Sequence, residues 1–245
     1  MRLTRAWVDA PLAPGQRLAL PEDAAAHLLR ALRLDVGDAC VLFNGDGHDY
    51  DARVVAAGKR GGEVEVLASR VVEAESPLRI MLLQGVARGE KMDLILQKAT
   101  ELGVAGFVPV NSERSEVRLD AARSAKRVQH WQGVVASACE QSGRARLPSV
   151  AAPLGLAEAL LSLPGDGLRL TLDPGAATGI HALSLPPSAT VVVGVGPEGG
   201  WSPRDREQLL AAGFSGVRLG PRILRTETAG IAAVSVLQAT FGDLR

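Results

Sequence analysis

The apolar residues change rhythm near residue 75, and no single packing scheme accommodates both halves of the chain. Before that point, short alternating or apolar runs at Ala39–Phe43, 52–56 and 63–67 are separated by two turn-forming stretches. These are Asn44-Gly45-Asp46-Gly47 and Gly58-Lys59-Arg60-Gly61-Gly62. A strand points successive side chains to opposite faces, and glycine and asparagine supply the backbone angles of tight turns, so this is the grammar of short strands. One short helix, over about 22–32, interrupts them. The first seventy residues therefore read as a small β-barrel or sandwich.

Glu73-Ala74-Glu75-Ser76-Pro77 is a polar linker ended by a proline. After it, strands are expected over 78–86, 105–110, Leu168–Leu172 and Thr190–Val195. Helices are expected over 91–102, stopped by Gly103, and over 121–141, stopped by Gly143. Strands alternating with helices specify an α/β layer built on a mainly parallel sheet. The chain thus reads as two domains, 1–72 and 73–245.

Composition narrows the function classes. Lys plus Arg and Asp plus Glu number 27 each, so overall charge points to no partner, and a nucleic-acid site must be a local patch. The first nine residues hold Arg2, Arg5 and Asp9 and no long apolar run, which argues against a secretory signal. No stretch approaches the roughly 18 consecutive apolar residues of a membrane span. Cys40 and Cys139, the two cysteines, lack CxxC spacing, and His27, His48, His130 and His181 are scattered. A disulfide framework and a cysteine zinc site are both unsupported. A soluble cytoplasmic protein is expected.

The richest segment is Thr190-Val191-Val192-Val193-Gly194-Val195-Gly196-Pro197-Glu198-Gly199-Gly200-Trp201. A β-branched run ends in a glycine cluster, which presents bare backbone at a sheet edge. Gly194-x-Gly196-x-x-Gly199 satisfies the dinucleotide fingerprint as a pattern, but that fingerprint must open a helix and be followed about 20 residues on by an acid that holds a ribose. Here Pro197 sits inside the loop. The helix begins only at Ser202-Pro203-Arg204-Asp205, with serine as N-cap, proline at the first helical position and aspartate three after the cap. Twenty residues on, Arg218-Leu219-Gly220-Pro221-Arg222 holds no acid. A nicotinamide site is disfavoured; glycines that merely turn the chain remain the plain alternative.

A second loop runs Leu219-Gly220-Pro221-Arg222-Ile223-Leu224-Arg225-Thr226-Glu227-Thr228-Ala229. Gly220 and Pro221 break a strand, Thr226 is placed to cap the next helix, and two arginines flank two aliphatics. Such a loop suits a ligand with a flat apolar ring and polar ends, although solvated surface arginines would look the same. From Ala229 to Thr240 only Ser235, Gln238 and Thr240 are polar, so that helix belongs in a core or an interface.

Together these loops resemble the RsmE family, the 16S ribosomal RNA (uracil(1498)-N(3))-methyltransferases of the SPOUT superfamily. The resemblance extends, in the family's order, through His27-Leu28-Leu29-Arg30-Ala31-Leu32-Arg33, Arg88-Gly89-Glu90-Lys91-Met92 and Gln97-Lys98-Ala99-Thr100-Glu101-Leu102-Gly103-Val104. It continues through Ser112-Glu113-Arg114-Ser115 and Glu140-Gln141-Ser142-Gly143-Arg144. It covers essentially the whole chain. It implies a PUA-like N-terminal domain, a SPOUT-type α/β domain with a deep C-terminal trefoil knot, and a homodimer. General topology rules would not have produced the knot.

By that resemblance the methyl donor, S-adenosyl-L-methionine, lies against Leu172, Gly194, Gly196, Pro197, Glu198, Gly199 and Gly200. The second loop would contribute Leu219, Gly220, Arg222, Ile223, Leu224, Arg225, Thr228 and Ala229. Asp173-Pro174 stands where a His-Pro pair is expected. Arg114 and Arg225 are the candidates for stabilising charge on the reacting base; an ordinary ion pair, with Glu113 or Glu227, is the bland alternative for each. Glu198 is a base or a residue that holds the donor or the loop, and no general base is assigned.

For RNA, the candidates are Arg5, Arg30, Arg33, Arg114, Gln141 and Arg144. Between residues 114 and 146 seven basic residues (Arg114, Arg118, Arg123, Lys126, Arg127, Arg144, Arg146) face three acidic ones (Glu116, Asp120, Glu140). Phosphate neutralisation by such cations dominates RNA affinity. The expected partner is 16S ribosomal RNA of the small subunit. A nicotinamide oxidoreductase, a non-catalytic RNA-binding module and a SPOUT enzyme acting on transfer RNA are the competing readings.

Overall fold

A computed structural model describes residues 4–58, 61–115, 121–186 and 188–244. The chain divides into two compact units, residues 1–75 with 136–147, and residues 76–135 with 148–245.

In the first unit, β1 (Arg5–Trp7), β2 (Arg17–Ala19), β3 (Ala39–Phe43), β4 (His48–Gly58) and β5 (Gly61–Val71) form one sheet in the order β1-β3-β4-β5-β2. Only β1 and β3 run parallel. Inward residues Leu42, Val54, Val64 and Val66 build the core with Leu28 and Ala52. The hairpin strands are longer than the expected 52–56 and 63–67. Inter-strand hydrogen bonds carry them past the point where burial ends, since residues 68 to 71 are exposed but still paired with β4.

The expected helix is there but changes type. α1 (Glu22–Ala25) passes into a π-helical turn over Ala26–Ala31, in which the Leu32 N–H donates to the His27 carbonyl, five residues back, at 3.1 Å. The widened turn keeps Leu28 fully buried while Arg30 and Arg33 stay exposed.

Arg5 and Arg144 correct the sequence reading. Arg5 is 6% and Arg144 3% exposed, so neither presents its charge to a phosphate. Arg5 donates to Asp49 Oδ1 at 2.6 Å and to the Cys139 and Arg144 carbonyls, and its guanidinium lies 4.5 Å from the Phe43 ring centre. Arg144 grips Glu75 with two donors, at 3.0 and 2.5 Å. Removing one partner of such a buried pair strands the other's charge and costs about 3–5 kcal/mol. These arginines hold the unit together. Cys40 and Cys139 are free and buried; burial pushes their thiols up to about 11 and about 12, so neither is a ready thiolate.

The second unit holds β6 (Arg79–Gly85), α2 (Glu90–Glu101), β7 (Val104–Asn111), the first part of α3 (Ala121–Ser142), β8 (Ser149–Val150), β9 (Leu154–Gly155) and α4 (Leu156–Leu161). It continues with β10 (Leu168–Leu172), β11 (Thr190–Val195), α5 (Pro203–Ala211), β12 (Ser215–Val217) and α6 (Thr226–Phe241). The sheet is wholly parallel, in the order β12-β10-β11-β6-β7-β8, with β9 also on β7. α4 and α5 cover one face through Leu156, Ala159 and Leu209, against Met81, Leu83, Val108 and Val192. α2 and α6 pack together, on β7 and β11 respectively. A parallel strand covered on both sides must be apolar throughout, and Val191 to Val195 are all buried.

The chain order explains where a ligand would sit. From β6 the chain moves outward through β7, then re-enters on the other side at β10, inserts β11 between β10 and β6, and ends with β12 beyond β10. Where the winding direction reverses, loops from adjacent carboxyl ends diverge and leave a crevice. α5 starts as its sequence requires. The Ser202 hydroxyl accepts from the Asp205 N–H at 3.0 Å and the Asp205 carboxylate accepts from the Ser202 N–H at 3.0 Å. No helix among the described residues is long and apolar enough to cross a membrane.

Candidate functional site

The carboxyl ends of β10, β11 and β12 open onto one cavity of about 510 Å³. That is within the range of small-molecule and cofactor sites. Its walls come from three consecutive strand ends: Leu172, Asp173 and Pro174 after β10; 195–201 after β11; and Val217, Leu219, Gly220 and 222–226 after β12, with Ala229 of α6. Of the sequence-nominated donor contacts, Leu172, Gly196, Pro197, Glu198, Gly199, Gly200, Leu219, Gly220, Arg222, Ile223, Leu224, Arg225 and Ala229 line it.

Gly194 and Thr228 do not line it. Gly194 is buried within β11, where a side chain would meet the Phe214 ring at 3.3 Å. Thr228 is exposed on α6.

The first loop is wired internally. The Gly200 N–H donates to the Pro197 carbonyl at 2.8 Å, Arg114 donates to the Gly199 carbonyl at 3.0 Å, and the Thr226 hydroxyl donates to the Gly196 carbonyl at 2.6 Å. Its path is tight. A Cβ on Gly196 would lie 3.0 Å from the Trp201 nitrogen and 3.1 Å from Gly200, and a Cβ on Gly85 would lie 2.5 Å from Pro197. Both are packing requirements for glycine, since the obstacles are largely backbone.

Glu198 accepts from the Arg88 N–H at 3.1 Å and from Lys91 Nζ at 3.3 Å. Burial alone would raise its pKa. The hydrogen bonds from Arg88 and its own amide, with the Lys91 ammonium, outweigh that and hold the carboxyl below its usual range. A carboxylate so stabilised is a poor proton acceptor, and its two bonds tie the first loop to Arg88 and Lys91.

The second loop differs. The peptide groups of residues 219–224 make no hydrogen bond to any other described residue. Ile223 is 85% exposed at the rim. α6 then begins at an N-cap, Arg225, whose side chain makes no capping bond, and its first internal bond is Ala229 N–H to the Arg225 carbonyl. The expected Thr226 cap is therefore corrected: Thr226 is the first helical residue, and its hydroxyl reaches across to Gly196. Free peptide groups, an open helix N-terminus and exposed aliphatics make a wall that suits a flat ring bearing polar edges. The adenosyl group of S-adenosylmethionine is such a ring, and by this test the residues present fit it.

Neither arginine candidate takes the ion pair considered for it. Glu113 pairs with Arg204 at 3.5 Å, Glu227 lies 4.0 Å from Lys91, and Arg225 is exposed with no ion pair to another described residue. Arg114 does not line the cavity but binds its first loop.

The sequence reading missed several lining residues. Lys91 stood inside a quoted motif. Asp173, in place of the expected histidine, accepts from Arg206 at 2.5 Å and from the Gly175 N–H at 2.9 Å. Arg206 carried no signal, because a first-turn arginine on an exposed helix looks like any solvated residue. Trp201 was placed at the end of the glycine run without a role and is buried at the cavity wall.

Among the RNA candidates, Arg30, Arg33, Arg114 and Gln141 are exposed, as are Arg123, Lys126 and Arg146. Arg118, with Glu116 and Asp120, lies outside the described residues. Among the described residues no cluster of three or more His, Cys, Asp or Glu is arranged to hold a metal.

Comparison with known proteins agrees with this architecture. An RNA methyltransferase domain family matches residues 74–238, and an RNA methyltransferase PUA domain family matches residues 20–67. Ribosomal RNA small subunit methyltransferase E of Buchnera aphidicola (subspecies Schizaphis graminum) is 31% identical over 99% of this chain and 98% of its own. The protein of that name from Aquifex aeolicus is 34% identical over 91% and 94%. Among solved structures, ribosomal RNA small subunit methyltransferase E from Neisseria gonorrhoeae, bound to S-adenosyl methionine, superposes with a TM-score of 0.91 at 40% identity, covering all of both chains. A putative methyltransferase from Legionella pneumophila, in complex with S-adenosylmethionine, does so with a TM-score of 0.94 at 37% identity, again over both whole chains. On its domain matches and full-length relatives, the chain belongs to the ribosomal RNA small subunit methyltransferase E family.

Proposed function

We propose that this protein is an S-adenosylmethionine-dependent methyltransferase that modifies N3 of uridine 1498 in 16S ribosomal RNA of the small subunit. The observation that carries the reading is the cavity at the ends of β10, β11 and β12, one wall pre-wired and the other bare, with an exposed Arg225 at its rim. Relatives of 40% and 37% identity are bound to the same donor.

The donor supplies an electrophilic methyl carbon: a carbon–nitrogen bond forms to N3, the carbon–sulfur bond breaks with its electron pair going to sulfur, and the N3 proton is released. The chain's residues then have two tasks. Gly196 to Gly200 and Leu219 to Leu224 align the donor with the acceptor nitrogen, and good alignment contributes roughly 7–11 kcal/mol of a barrier. Arg225, exposed at the rim, stabilises the negative charge that grows on the uracil oxygens as N3 loses its proton. Arg114 sets the first loop through Gly199, and in this reading its remaining donors face the base.

N3 lies on the pairing edge, so the target base must be unpaired or turned out of its helix. Arg30, Arg33 and Gln141, all exposed, are the proposed RNA contacts on the first unit. We further propose a cytoplasmic protein and a homodimer, the dimer supported by the half-exposed apolar Ile231, Ala232 and Val236 on α6.

The test is mass spectrometry of 16S ribosomal RNA from a strain lacking the gene, before and after incubation with purified protein and donor. Appearance of N3-methyluridine at position 1498 is expected. Unchanged RNA would point to a non-catalytic RNA-binding protein, and methylation elsewhere would reassign the target.

A further inference from the structure

Gln84, at the end of β6, is fully buried and was not nominated by any sequence motif. It does not line the cavity, yet it touches the residue that joins the two loops there. Gln84 Nε2 donates to Thr226 Oγ1 at 3.0 Å and to the Gly85 carbonyl at 2.9 Å, and Thr226 Oγ1 donates to the Gly196 carbonyl at 2.6 Å.

The direction of every bond in this chain is dictated by chemistry. The Gly196 carbonyl only accepts, so the single hydroxyl proton of Thr226 is committed to it. What faces Thr226 Oγ1 from Gln84 must therefore be a donor, and the Gly85 carbonyl demands a second donor from the same group. A side-chain amide has one NH₂ with two hydrogens, so both are used and the amide orientation has one solution. That solution leaves Gln84 Oε1 buried with no partner among the described residues. Leaving a buried acceptor unmade is costly, so a purely structural position here would favour an apolar residue of the same shape.

We infer that Gln84 and Thr226 form a positioning clasp that sets the spacing of the two donor-facing loops, with Gln84 acting entirely through Thr226. The clasp closes the gap between the end of β11 and the start of α6. The Gly85 contact fixes it to the rigid sheet, because Pro197 packs directly on Gly85. Residues 219–224 have no hydrogen-bonded tie to another described residue, so residue 226 sets their distance from the first loop. Breaking the clasp leaves each loop able to fold but removes the register between them.

This inference rests on the reading of the cavity as the S-adenosylmethionine site. It is tested by calorimetric titration of the intact protein with S-adenosylmethionine, alongside thermal unfolding of each variant. Thr226→Val, which keeps the shape and removes the hydroxyl, should weaken donor binding about tenfold, the value of one hydrogen bond, with little change in Tm. Thr226→Ser should restore affinity to within about twofold. Gln84→Met should match Thr226→Val, and the double variant should lose no more than either single one, since both break the same chain.

Full affinity in Thr226→Val and Gln84→Met, or losses that add, would overturn the clasp. So would a fall in Tm with affinity retained. Should Thr226→Val fail to fold, the Thr226→Ser and Gln84→Met pair decides the same question. Absence of binding by the unaltered protein would instead remove the donor reading itself.

Discussion

The two loops that wall the cavity follow β11 and β12, the strands on either side of β10, but are built oppositely. In the first, the carbonyls of Gly196, Pro197 and Gly199 are all taken, and Glu198 is pinned between the Arg88 N–H and Lys91. In the second, residues 219–224 form no hydrogen bond to another described residue, and Ile223 stands out in solvent. A prewired wall costs nothing to order on binding; a bare wall has free donors and acceptors but must surrender conformational freedom. The division assigns geometry to the first loop and adaptability to the second.

The sharpest way to break this comparison is Gly196→Val. Its side chain would be driven into Gly200 and Trp201, and the first loop has no slack with which to yield. Donor binding should be lost in calorimetry, while affinity for a 16S fragment in a gel-shift titration changes by less than about twofold. Retained donor binding would mean that the first loop is as adaptable as the second. Arg225→Ala comes next. Removing one preorganised donor from a transition state typically lowers turnover about 10²–10³-fold. Because Arg225 has no ion pair to another described residue, that loss should come with donor Kd nearly unchanged. Equal losses in kcat and in affinity would make it a binding residue of the second loop and nothing more.

Hydrogen exchange sharpens the contrast without any mutation. Amides of residues 219, 220 and 222–224 should exchange fast in the free protein and slow by about tenfold or more with saturating donor, because an unbonded amide has no protection until a ligand supplies it. The Gly200 amide, already bonded to Pro197, should change little. Uniform protection of both loops would erase the distinction.

The legibility of the sequence followed the same division. The valine-rich β11 and the Ser202–Asp205 capping box are local signals, written in composition and in the spacing of two side chains, and both were readable. The glycine cluster was readable as exposed backbone for the same reason. Thr226 was misread because threonine before a helix has a local explanation, the cap, that hides a nonlocal one: its partner Gly196 lies 30 residues away. Arg5 and Arg144 were misread in the same manner. An arginine looks cationic in sequence, and only the fold reveals Asp49 and Glu75 beside it. The π turn over Ala26–Ala31 has no periodicity that six residues could display. Whether the chain is threaded through itself is set by the order of crossings and not by any residue pattern, so the trefoil knot rests on family resemblance.

The smallest effect expected is at Glu198, and it isolates what the first loop owes to charge. Its carboxyl titrates below the usual range because the Arg88 and backbone amides and Lys91 favour the anion. For a group with a lowered pKa in the folded protein, the stabilising contribution is complete above the ordinary carboxylate pKa and fades as pH falls through the lowered value. Donor affinity of the unaltered protein should thus hold steady from neutral pH down to about 5, as far as Glu198 is concerned. Glu198→Gln keeps the shape and an acceptor oxygen for the Arg88 N–H but loses the attraction to Lys91, a partly exposed pair worth about 0.2–1 kcal/mol. Affinity should fall by no more than about threefold to fivefold, evenly across that pH range. A loss of a hundredfold would mean that the carboxylate touches the donor, and a pH profile with a step near neutrality would restore Glu198 as a proton acceptor.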